Sequence, residues 1–271
     1  MDDARKEFEL LKKKILRETN LDCTIYKENY LRRRILVRMR ANGIDNYAGY
    51  IKFLTNNREE YKKLLDDITI NVTQFFRDPE TFKVIEEEVL PLIIYEKVRA
   101  NRCTIRAWSA GCSSGEEAYS VAILLYDLLG EEFDKFIVSV LATDIDDEML
   151  EIGKRGIYNI KQLENVKKEW LQTYFVKEKD NYRICNDIKG FVRFRKSNLS
   201  QSRNEKHFDL ILCRNVVIYF SKEMQSQLYL NFYNALNSGG FLILGKTEIL
   251  VGDAKDLFTT YNAKERIYRK L

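Results

Sequence analysis

The fold is decided by Trp108-Ser-Ala-Gly-Cys-Ser-Ser-Gly-Glu-Glu-Ala-Tyr119, a glycine turn that joins an apolar strand to an amphipathic helix. Residues 104–108 have the pattern of a short strand, and apolar residues after the turn recur at helical spacing as far as Leu129. Gly111 and Gly115 therefore lie at a strand-to-helix corner. Such corners bind nucleotides in open α/β sheets, so Gly111 is a candidate cofactor-binding residue.

The two glutamates of this turn favour a cofactor without phosphate groups. Dinucleotide sites place phosphate at a helix N-terminus, but Glu116 and Glu117 would repel it. S-adenosylmethionine fits better, because it has a nucleoside, a sulfonium and an ammonium group and no phosphate. A purely structural alternative stays open, since Ser114 and Glu117 match the S-x-x-E pattern of a helix capping box.

The composition is that of an ordinary globular chain, with 271 residues of which 45% are hydrophobic and 32% charged. No apolar run is long enough to span a membrane and residues 1–6 lack a secretory signal, so we expect a cytoplasmic protein without membrane insertion. The five scattered cysteines form no C-x-x-C pair, which predicts free thiols and no metal site. The single histidine, His207, has no G-x-S-x-G partner, which excludes Ser-His-Asp and Cys-His hydrolases and predicts a surface residue.

The first quarter of the chain carries the excess of positive charge. Residues 1–70 hold 16 Lys and Arg against 12 Asp and Glu, and the whole chain has a net charge of +4. Four amphipathic segments follow one another here, separated by turn signals at residues 19–20, 42–45 and 55–57. We therefore predict a small, basic, all-helical N-terminal domain over residues 1–70.

Strands and helices alternate after residue 102, which predicts an α/β fold with a doubly wound, mostly parallel sheet. Residues 257–270 resemble a hairpin whose last strand joins the sheet antiparallel, as in methyltransferase sheets. Two short strands, 182–185 and 190–195, predict a small antiparallel β insertion at about 176–197 in the 103–271 domain. The predicted sheet strands are Thr104–Trp108, Phe136–Thr143, Phe208–Cys213 and Gly240–Leu244.

Two predicted strands end in polar residues suited to a nucleoside. Asp144 ends the second strand, where doubly wound folds place an acid that binds ribose hydroxyls. A solvated aspartate that only caps the next turn is the alternative. Asn215 and Tyr219 follow the third strand at its carboxyl end, without the prolines typical of enzymes that methylate nucleobase amines.

The stretch Asn71-Val-Thr-Gln-Phe-Phe-Arg-Asp-Pro79 separates the helical domain from the sheet, within a linker and helix at 71–102. A polar loop with a lone Arg77 among aromatic residues is suited to cover a cofactor and hold an anion. A plain interdomain linker with two buried phenylalanines is the alternative.

Six segments together resemble the chemotaxis receptor methyltransferase family, CheR, in the family's order and over most of the chain. Two positions depart from the family pattern, since Ala118 replaces a usual proline and Lys246 a common histidine; neither is assigned to the cofactor. The six segments are Asn71–Arg77, Trp108–Ser120, Ala142–Asp146, Ser197–Leu199, Cys213–Phe220 and Gly239–Glu248.

The resemblance implies methyl transfer from S-adenosylmethionine to glutamate side chains on the cytoplasmic helices of chemoreceptors, with S-adenosylhomocysteine as the other product. It also implies that Arg77 and Tyr219 flank the reacting centre. The residues that it implies for cofactor binding are Asn71, Thr73, Arg77, Glu117, Asp144, Asn198, Leu199, Asn215 and Val216.

The segment Tyr30–Arg40 has five arginines among apolar residues. On a helical wheel Arg33, Arg34, Arg38 and Arg40 lie opposite the arc of Leu31, Ile35 and Met39, and this face could bind an acidic receptor helix. A solvated face or a nucleic-acid surface are the alternatives. A pI of only about 8.6 and the lack of an RNA-binding motif argue against nucleic acid.

Two other functions stay open. One is S-adenosylmethionine-dependent methylation of a nucleic acid or a small molecule, and the other is a non-catalytic domain that senses the cofactor. We expect a monomer that acts on chemoreceptors, and we do not expect the β insertion to bind a receptor tether peptide.

Overall fold

The computed structural model describes residues 2–201 and 205–271, and the chain divides into two units. The first unit consists of Met1–Asn71 and Tyr219–Met224, and the second of Val72–Ile218 and Gln225–Leu271. No helix in these described ranges has the length and apolar character needed to cross a membrane.

Helices build the N-terminal unit, as the apolar periodicity predicts. Phe8, Leu11 and Ile15 are fully buried on one face of α1 (Asp2–Thr19). The side chain of Asn46 caps α3 (Tyr47–Asn56) by accepting a hydrogen bond from the amide of Gly49. The helices are α1 (Asp2–Thr19), α2 (Glu28–Ala41), α3 (Tyr47–Asn56) and α4 (Arg58–Thr69).

A short segment from late in the chain belongs to this helical unit. Tyr26 forms an antiparallel bridge with Phe220. The amide of Lys27 donates to the carbonyl of Tyr219 at 2.9 Å, and the amide of Ser221 donates to the carbonyl of Ile25 at 2.8 Å. Tyr219 is therefore held by residues at the start of α2.

A seven-stranded sheet forms the centre of the second unit, in the order β6-β2-β1-β7-β8-β10-β9. The first five strands are parallel to one another, whereas β10 pairs antiparallel with both β8 and β9. The predicted parallel sheet with a terminal antiparallel hairpin is thus confirmed. Its strands are β1 (Thr104–Ala110), β2 (Ile137–Asp144), β6 (Val192–Lys196), β7 (Phe208–Cys213), β8 (Leu236–Leu244), β9 (Phe258–Asn262) and β10 (Ile267–Lys270).

Helices accompany these strands, and α7 (Glu116–Leu129) begins directly after the glycine turn. Its residues Val121–Leu125 are fully buried in the core, where α7 contacts β1 and β2. A π-helical turn, Ile85–Val89, joins α5 to α6. The helices are α5 (Pro79–Val84), α6 (Leu90–Arg99), α7 (Glu116–Leu129), α8 (Asp147–Arg155), α9 (Lys168–Tyr174), α10 (Asn186–Lys189), α11 (Lys222–Ala235) and α12 (Ala254–Leu257).

A small antiparallel insertion is present, but one of its predicted strands lies elsewhere. The insertion is a three-stranded sheet of β3 (Ile157–Asn159), β5 (Asn181–Ile184) and β4 (Phe175–Glu178). The predicted second strand, 190–195, is instead β6, which pairs parallel with β2 at the edge of the main sheet. Alternating apolar residues indicate a strand but not its partner, which explains the error.

Candidate cofactor-binding site

The turn between β1 and α7 has a shape that only glycine fits at Gly111. Gly111 has φ +85°, and a Cβ there would lie 2.6 Å from Cγ2 of Val216. The amides of Gly111 and Cys112 both donate to the carbonyl of Thr143, at 2.8 and 2.9 Å. The turn is thereby tied to the end of β2 and packed against the residues after β7.

The capping-box alternative for this turn is wrong. The residue that precedes α7 is Gly115, with φ +94° and without a side-chain cap. The hydroxyl of Ser114 donates to the carboxylate of Glu116, at 2.8 Å to Oε2. Glu117 instead accepts a hydrogen bond from the hydroxyl of Ser109 at 2.7 Å.

The two adjacent glutamates have different surroundings. Glu116 is fully buried, and Oε1 accepts a hydrogen bond from the Gln162 side chain at 2.6 Å. Glu117 keeps 14% of its side chain exposed, and its Oε2 lies 3.5 Å from the guanidinium of Arg214. Burial raises the pKa of both carboxyls, and Arg214 opposes this rise at Glu117. Of the two, only Glu117 keeps part of its side chain exposed.

Asp144 connects the end of β2 with the glycine turn. Its Oδ2 accepts a hydrogen bond from the amide of Ser113 at 2.7 Å, and its Oδ1 accepts one from the amide of Asp146 at 3.0 Å. Asp144 does support the following turn, but it is 9% exposed rather than solvated, and burial raises its pKa. Its carboxylate oxygens have further lone pairs that ribose hydroxyls could use.

The carboxyl ends of the parallel strands bring most of the predicted cofactor residues to one edge of the sheet. Gly111 follows β1, Asp144 ends β2, Asn198 and Leu199 follow β6, and Asn215 and Val216 follow β7. Leu199 is buried, and Asn198 accepts hydrogen bonds from the amide and hydroxyl of Ser200. Thr73 and Arg77 lie in the second unit, in the loop before α5, whereas Asn71 and Tyr219 belong to the helical unit.

The loop before α5 is anchored by its two phenylalanines, which are buried as the linker alternative expected. The ring of Phe76 stacks on Trp170 with centroids 4.9 Å apart, and its amide donates to the Ser120 hydroxyl at 2.9 Å. Phe76 and Asp78 have φ values of +50° and +60°, a conformation that costs about 1–3 kcal/mol for each such residue. Between them, Arg77 is half-buried and donates to the carbonyl of Val72 at 2.7 Å.

Arg214 lies beside this loop and was not predicted as a site residue. Its side chain is 1% exposed. One nitrogen, Nη2, donates to the carbonyl of Arg77 at 2.8 Å and to the carboxylate of Asp78 at 2.6 Å. One feature of the sequence could have indicated its role. Arg214 directly follows β7, a strand whose six residues are all buried, so its charge lies at the carboxyl end of a buried strand.

Glu248 is a second residue with no predicted role, although it ends the segment Gly239–Glu248 that resembles the family. It is 3% exposed and accepts hydrogen bonds from the amides of Gly245 at 2.6 Å, Asn215 at 2.9 Å and Ile218 at 3.2 Å. Burial raises its pKa, although these amide donors oppose the rise. Glu248 thus fixes the loop after β7, where Asn215 has φ +61°.

The residues at this edge fit S-adenosylmethionine. The Oδ1 atom of Asn215 is buried and has no hydrogen-bond partner among residues 2–201 and 205–271. A buried acceptor of this kind calls for a donor, which the hydroxyl and amino groups of a nucleoside provide. Asp144 and Glu117 add two carboxylates to the same edge, which suits a cofactor with two positive charges and no phosphate.

The predicted docking arginines on α2 do not all share one surface. Arg33 and Arg40 are exposed, and Arg34 is half-buried beside the ring of Tyr30. Arg38 contradicts the prediction, because Nε and Nη2 each donate to the carboxylate of Glu60 at 2.9 Å.

Glu60 explains why Arg38 turns inward. This carboxylate is 4% exposed on α4, the helix that α2 contacts, and a buried anion requires a counter-charge. Burial alone would raise the pKa of Glu60, but Arg38 and the other donors hold it below its ordinary value. Leu36 and Val37, which were not predicted, are exposed beside Arg33 and Arg40.

Comparison with known proteins identifies the family. The CheR methyltransferase SAM-binding domain matches residues 71–267, and the CheR methyltransferase all-alpha domain matches residues 6–69. The chain is 33% identical over 260 residues to a chemotaxis protein methyltransferase of Listeria innocua, covering 96% of each protein. It is 32% identical over 231 residues to that of Salmonella typhimurium, covering 82% of this chain and 76% of the relative.

Among solved structures, a SAM-dependent methyltransferase from Methanosarcina mazei is similar over 54% of this chain and 55% of that chain, with 15% identity and a TM-score of 0.33. The family matches and the two chemotaxis relatives cover both units of the chain. Its cofactor is therefore S-adenosylmethionine, and the chain belongs to the CheR family of chemotaxis methyltransferases.

Proposed function

We propose that this protein methylates glutamate side chains on the cytoplasmic helices of chemoreceptors and gives glutamyl methyl esters. The observation that carries the proposal is the site at the carboxyl ends of β1, β2 and β7. Glu117 and Asp144 lie at this edge of the sheet, as does the buried Oδ1 of Asn215, which has no partner in the described part of the chain. The family's relatives are named chemotaxis protein methyltransferases, which supports a chemoreceptor as the acceptor.

The proposed reaction needs no general base. A glutamate side chain has an ordinary pKa of about 4.3, so its carboxylate is already a nucleophile at neutral pH. His207 agrees with this, because it is exposed in front of β7, at the end of the strand away from Asn215. When bound, S-adenosylmethionine supplies a methyl group on a positively charged sulfur.

The protein's part is to bind and align. A bound cofactor would supply its methyl group to a carboxylate oxygen of the acceptor and would leave as a neutral thioether, while the residues of the protein would hold the acceptor in line with it. Alignment of two reactants can contribute roughly 7–11 kcal/mol. We assign Arg77 to hold the acceptor carboxylate, Tyr219 to flank it, Asp144 to the ribose hydroxyls and Glu117 to a positive charge of the cofactor.

An exposed stripe on α2 is suited to recognise the receptor. Arg33, Leu36, Val37 and Arg40 follow the i, i+3, i+4, i+7 spacing of one helix face and are all exposed. This α2 stripe combines two cations with two apolar side chains. An amphipathic receptor helix with acidic residues around its methylated glutamates is complementary to it.

The test is incubation with S-adenosylmethionine labelled on the methyl group and with receptor cytoplasmic fragments. We expect label on the receptor that alkali releases, as an ester requires. The double variant Arg33→Glu/Arg40→Glu should reduce labelling at low receptor concentration, whereas Arg58→Glu, an exposed charge on α4, should not. Cofactor binding without alkali-labile label would refute the proposed function.

A further inference from the structure

Arg214 is a buried cation to which the proposed reaction gives no role. It directly follows β7, and only 1% of its side chain is exposed. A guanidinium stays charged in proteins, so its burial requires compensating partners. The identity of those partners indicates what the residue does.

The partners of Arg214 join two parts of the proposed site. Its Nη2 binds the carbonyl oxygen of Arg77 and the carboxylate of Asp78, at 2.8 and 2.6 Å. Its Nη1 lies 3.5 Å from Oε2 of Glu117, in the first turn of α7. One guanidinium therefore links the backbone that carries Arg77 to the carboxylate assigned to the cofactor.

The loop that carries Arg77 needs the contacts of Arg214 on its Asp78 side. Phe76 and Asp78 flank Arg77, and both have positive φ values, which residues other than glycine adopt only where their surroundings hold them. On the Phe76 side, Ser120 and Trp170 hold the loop. On the Asp78 side, Arg214 makes the corresponding contacts.

We propose that Arg214 is a positioning residue that fixes the backbone at Arg77 for the acceptor carboxylate and balances the charge of Glu117 for the cofactor. It acts through these residues and has no contact with the reacting atoms. The proposal for the Arg77 loop rests on the proposed function, because only that function gives Arg77 an acceptor to hold.

A lysine could not replace Arg214 in this role. Each terminal nitrogen of a guanidinium carries two N–H groups in a fixed plane, which allows Nη2 to bind the Arg77 carbonyl and Asp78 together. A lysine ammonium keeps the positive charge without this planar geometry. Arg214→Lys therefore separates the geometric role from the role of the charge.

The charge of Arg214 bears on the ionisation of Glu117. Burial raises the pKa of Glu117, and the cations Arg214 and Arg77 oppose that rise. The neighbouring thiols of Cys112 and Cys213 are buried with pKa values well above the ordinary one, so they stay neutral. Without the charge of Arg214, Glu117 takes up a proton at higher pH, and cofactor affinity should then increase as pH rises.

The experiment compares Arg214→Lys, Arg214→Met and Asp78→Asn with the exposed control Arg193→Met. Three quantities are measured: amide hydrogen exchange of residues 72–78, the Kd of S-adenosylmethionine by calorimetry at pH 6, 7 and 8, and turnover on a receptor fragment. In all three test variants we expect faster exchange in the loop. We also expect turnover about 100-fold lower, which is the cost of a misplacement of about 1 Å.

The variants should differ in cofactor binding. The Kd in Arg214→Lys and Asp78→Asn should stay within about threefold of wild type, because a cation still faces Glu117. In Arg214→Met, the increase of affinity with rising pH should extend to higher pH than in wild type. Unchanged exchange and turnover in Arg214→Lys and Asp78→Asn would overturn the loop role. A Kd in Arg214→Met with the same value and the same pH dependence as wild type would overturn the charge role.

The design separates a failure of the role proposed for Arg214 from a misfolded variant and from a failure of the proposed function. Asp78→Asn retains the buried arginine, so it decides the loop role even if Arg214→Met does not fold. Exchange and cofactor binding do not involve the acceptor, so they report on Arg214 even if the wild type fails to label the receptor fragment, which would count against the proposed function alone.

Discussion

The ring of Tyr30 stacks on the ring of Tyr219, with centroids 4.6 Å apart and planes inclined by 29°. The hydroxyl of Tyr30 donates to the carbonyl of Ile68 at 2.6 Å, which anchors this ring to the end of α4. Residues of the helical unit therefore set the orientation of Tyr219, the residue proposed to flank the acceptor.

We expect Tyr30→Ala to lower turnover about tenfold while cofactor affinity changes little, because an aromatic pair contributes about 0.5–1.5 kcal/mol and its loss frees the Tyr219 ring. Tyr30→Phe keeps the ring pair and serves as the control, with near-normal turnover and about 1 kcal/mol less stability from the lost hydrogen bond. Steady-state kinetics and denaturant unfolding measure both. Equal turnover in the two variants would show that stacking on Tyr30 does not matter for Tyr219.

The adjacent glutamates provide a second, matched comparison. Glu117→Gln should weaken S-adenosylmethionine binding about tenfold or more, since it removes a charge that faces the ligand. Glu116→Gln should leave the affinity within about twofold, because Glu116 is fully buried and its partners are Ser114 and Gln162. Titration calorimetry at neutral pH measures both variants, and the reverse order of effects would exchange the two roles.

Glu116 also predicts a pH dependence of stability. Burial raises its pKa in the folded state, so the folded protein binds this proton more tightly than the unfolded chain does. The contribution to stability is therefore present below the ordinary glutamate pKa and is lost as pH rises through the raised value. The side chain in Glu116→Gln cannot ionise, so the stability of this variant does not fall over that pH range.

Thermal unfolding of wild type and Glu116→Gln at a series of pH values tests this sign. The stability of the variant relative to wild type should increase as pH rises above about 4.3 and should level off above the raised pKa. A difference that stays constant with pH, or that shrinks as pH rises, would contradict the assigned shift.

The glycine turn was predictable because its signals are local. Gly111, Gly115 and the two glutamates lie within seven residues between a strand and a helix, and Asp144 follows from its place at a strand end. The roles of Arg214 and Glu248 were not predictable in this way. Their partners are distant in the chain, since Arg214 binds Asp78 and Glu248 binds Asn215.

The two errors have different causes. Arg38 lies seven residues after Leu31, which places it only about 20° from Leu31 around α2, so the prediction that it lies opposite the apolar arc was wrong. On that buried side it pairs with Glu60 of a neighbouring helix. Alternation identified β6 as a strand but could not show that it pairs with β2. Patterns within an element predict that element, whereas its partners depend on tertiary packing.

Glu248 should support the cofactor site although we assign it no contact with the ligand. Its carboxylate accepts three backbone amides, and the side-chain amide that Glu248→Gln introduces could not accept on its nitrogen. We expect about tenfold weaker S-adenosylmethionine binding and a loss of about 1–3 kcal/mol in stability. Glu265→Gln, which changes a buried acid near the last strands, is the control for stability alone and should keep normal affinity.

Gly111 gives the sharpest test of the turn, because the chain offers a matched control. Gly111 and Gly43 both have left-handed φ values, +85° and +66°, so an alanine at either costs about 1–2 kcal/mol. A Cβ at Gly43 would meet nothing within 4 Å, whereas one at Gly111 would lie 2.6 Å from Cγ2 of Val216. Gly111→Ala should therefore lose more stability than Gly43→Ala and should also lose cofactor binding.

Val216→Ala separates the steric cause from the backbone cause. The added Cβ at Gly111 would still lie 3.5 Å from Cβ of Val216, which is an ordinary contact, once the two methyl groups are removed. The double variant Gly111→Ala/Val216→Ala should thus be more stable than Gly111→Ala. Its remaining loss of stability relative to wild type should equal the cost of the φ angle plus the cost of Val216→Ala. Denaturant unfolding of the four variants measures this coupling, and strictly additive losses would show that the side chain of Val216 does not restrict residue 111.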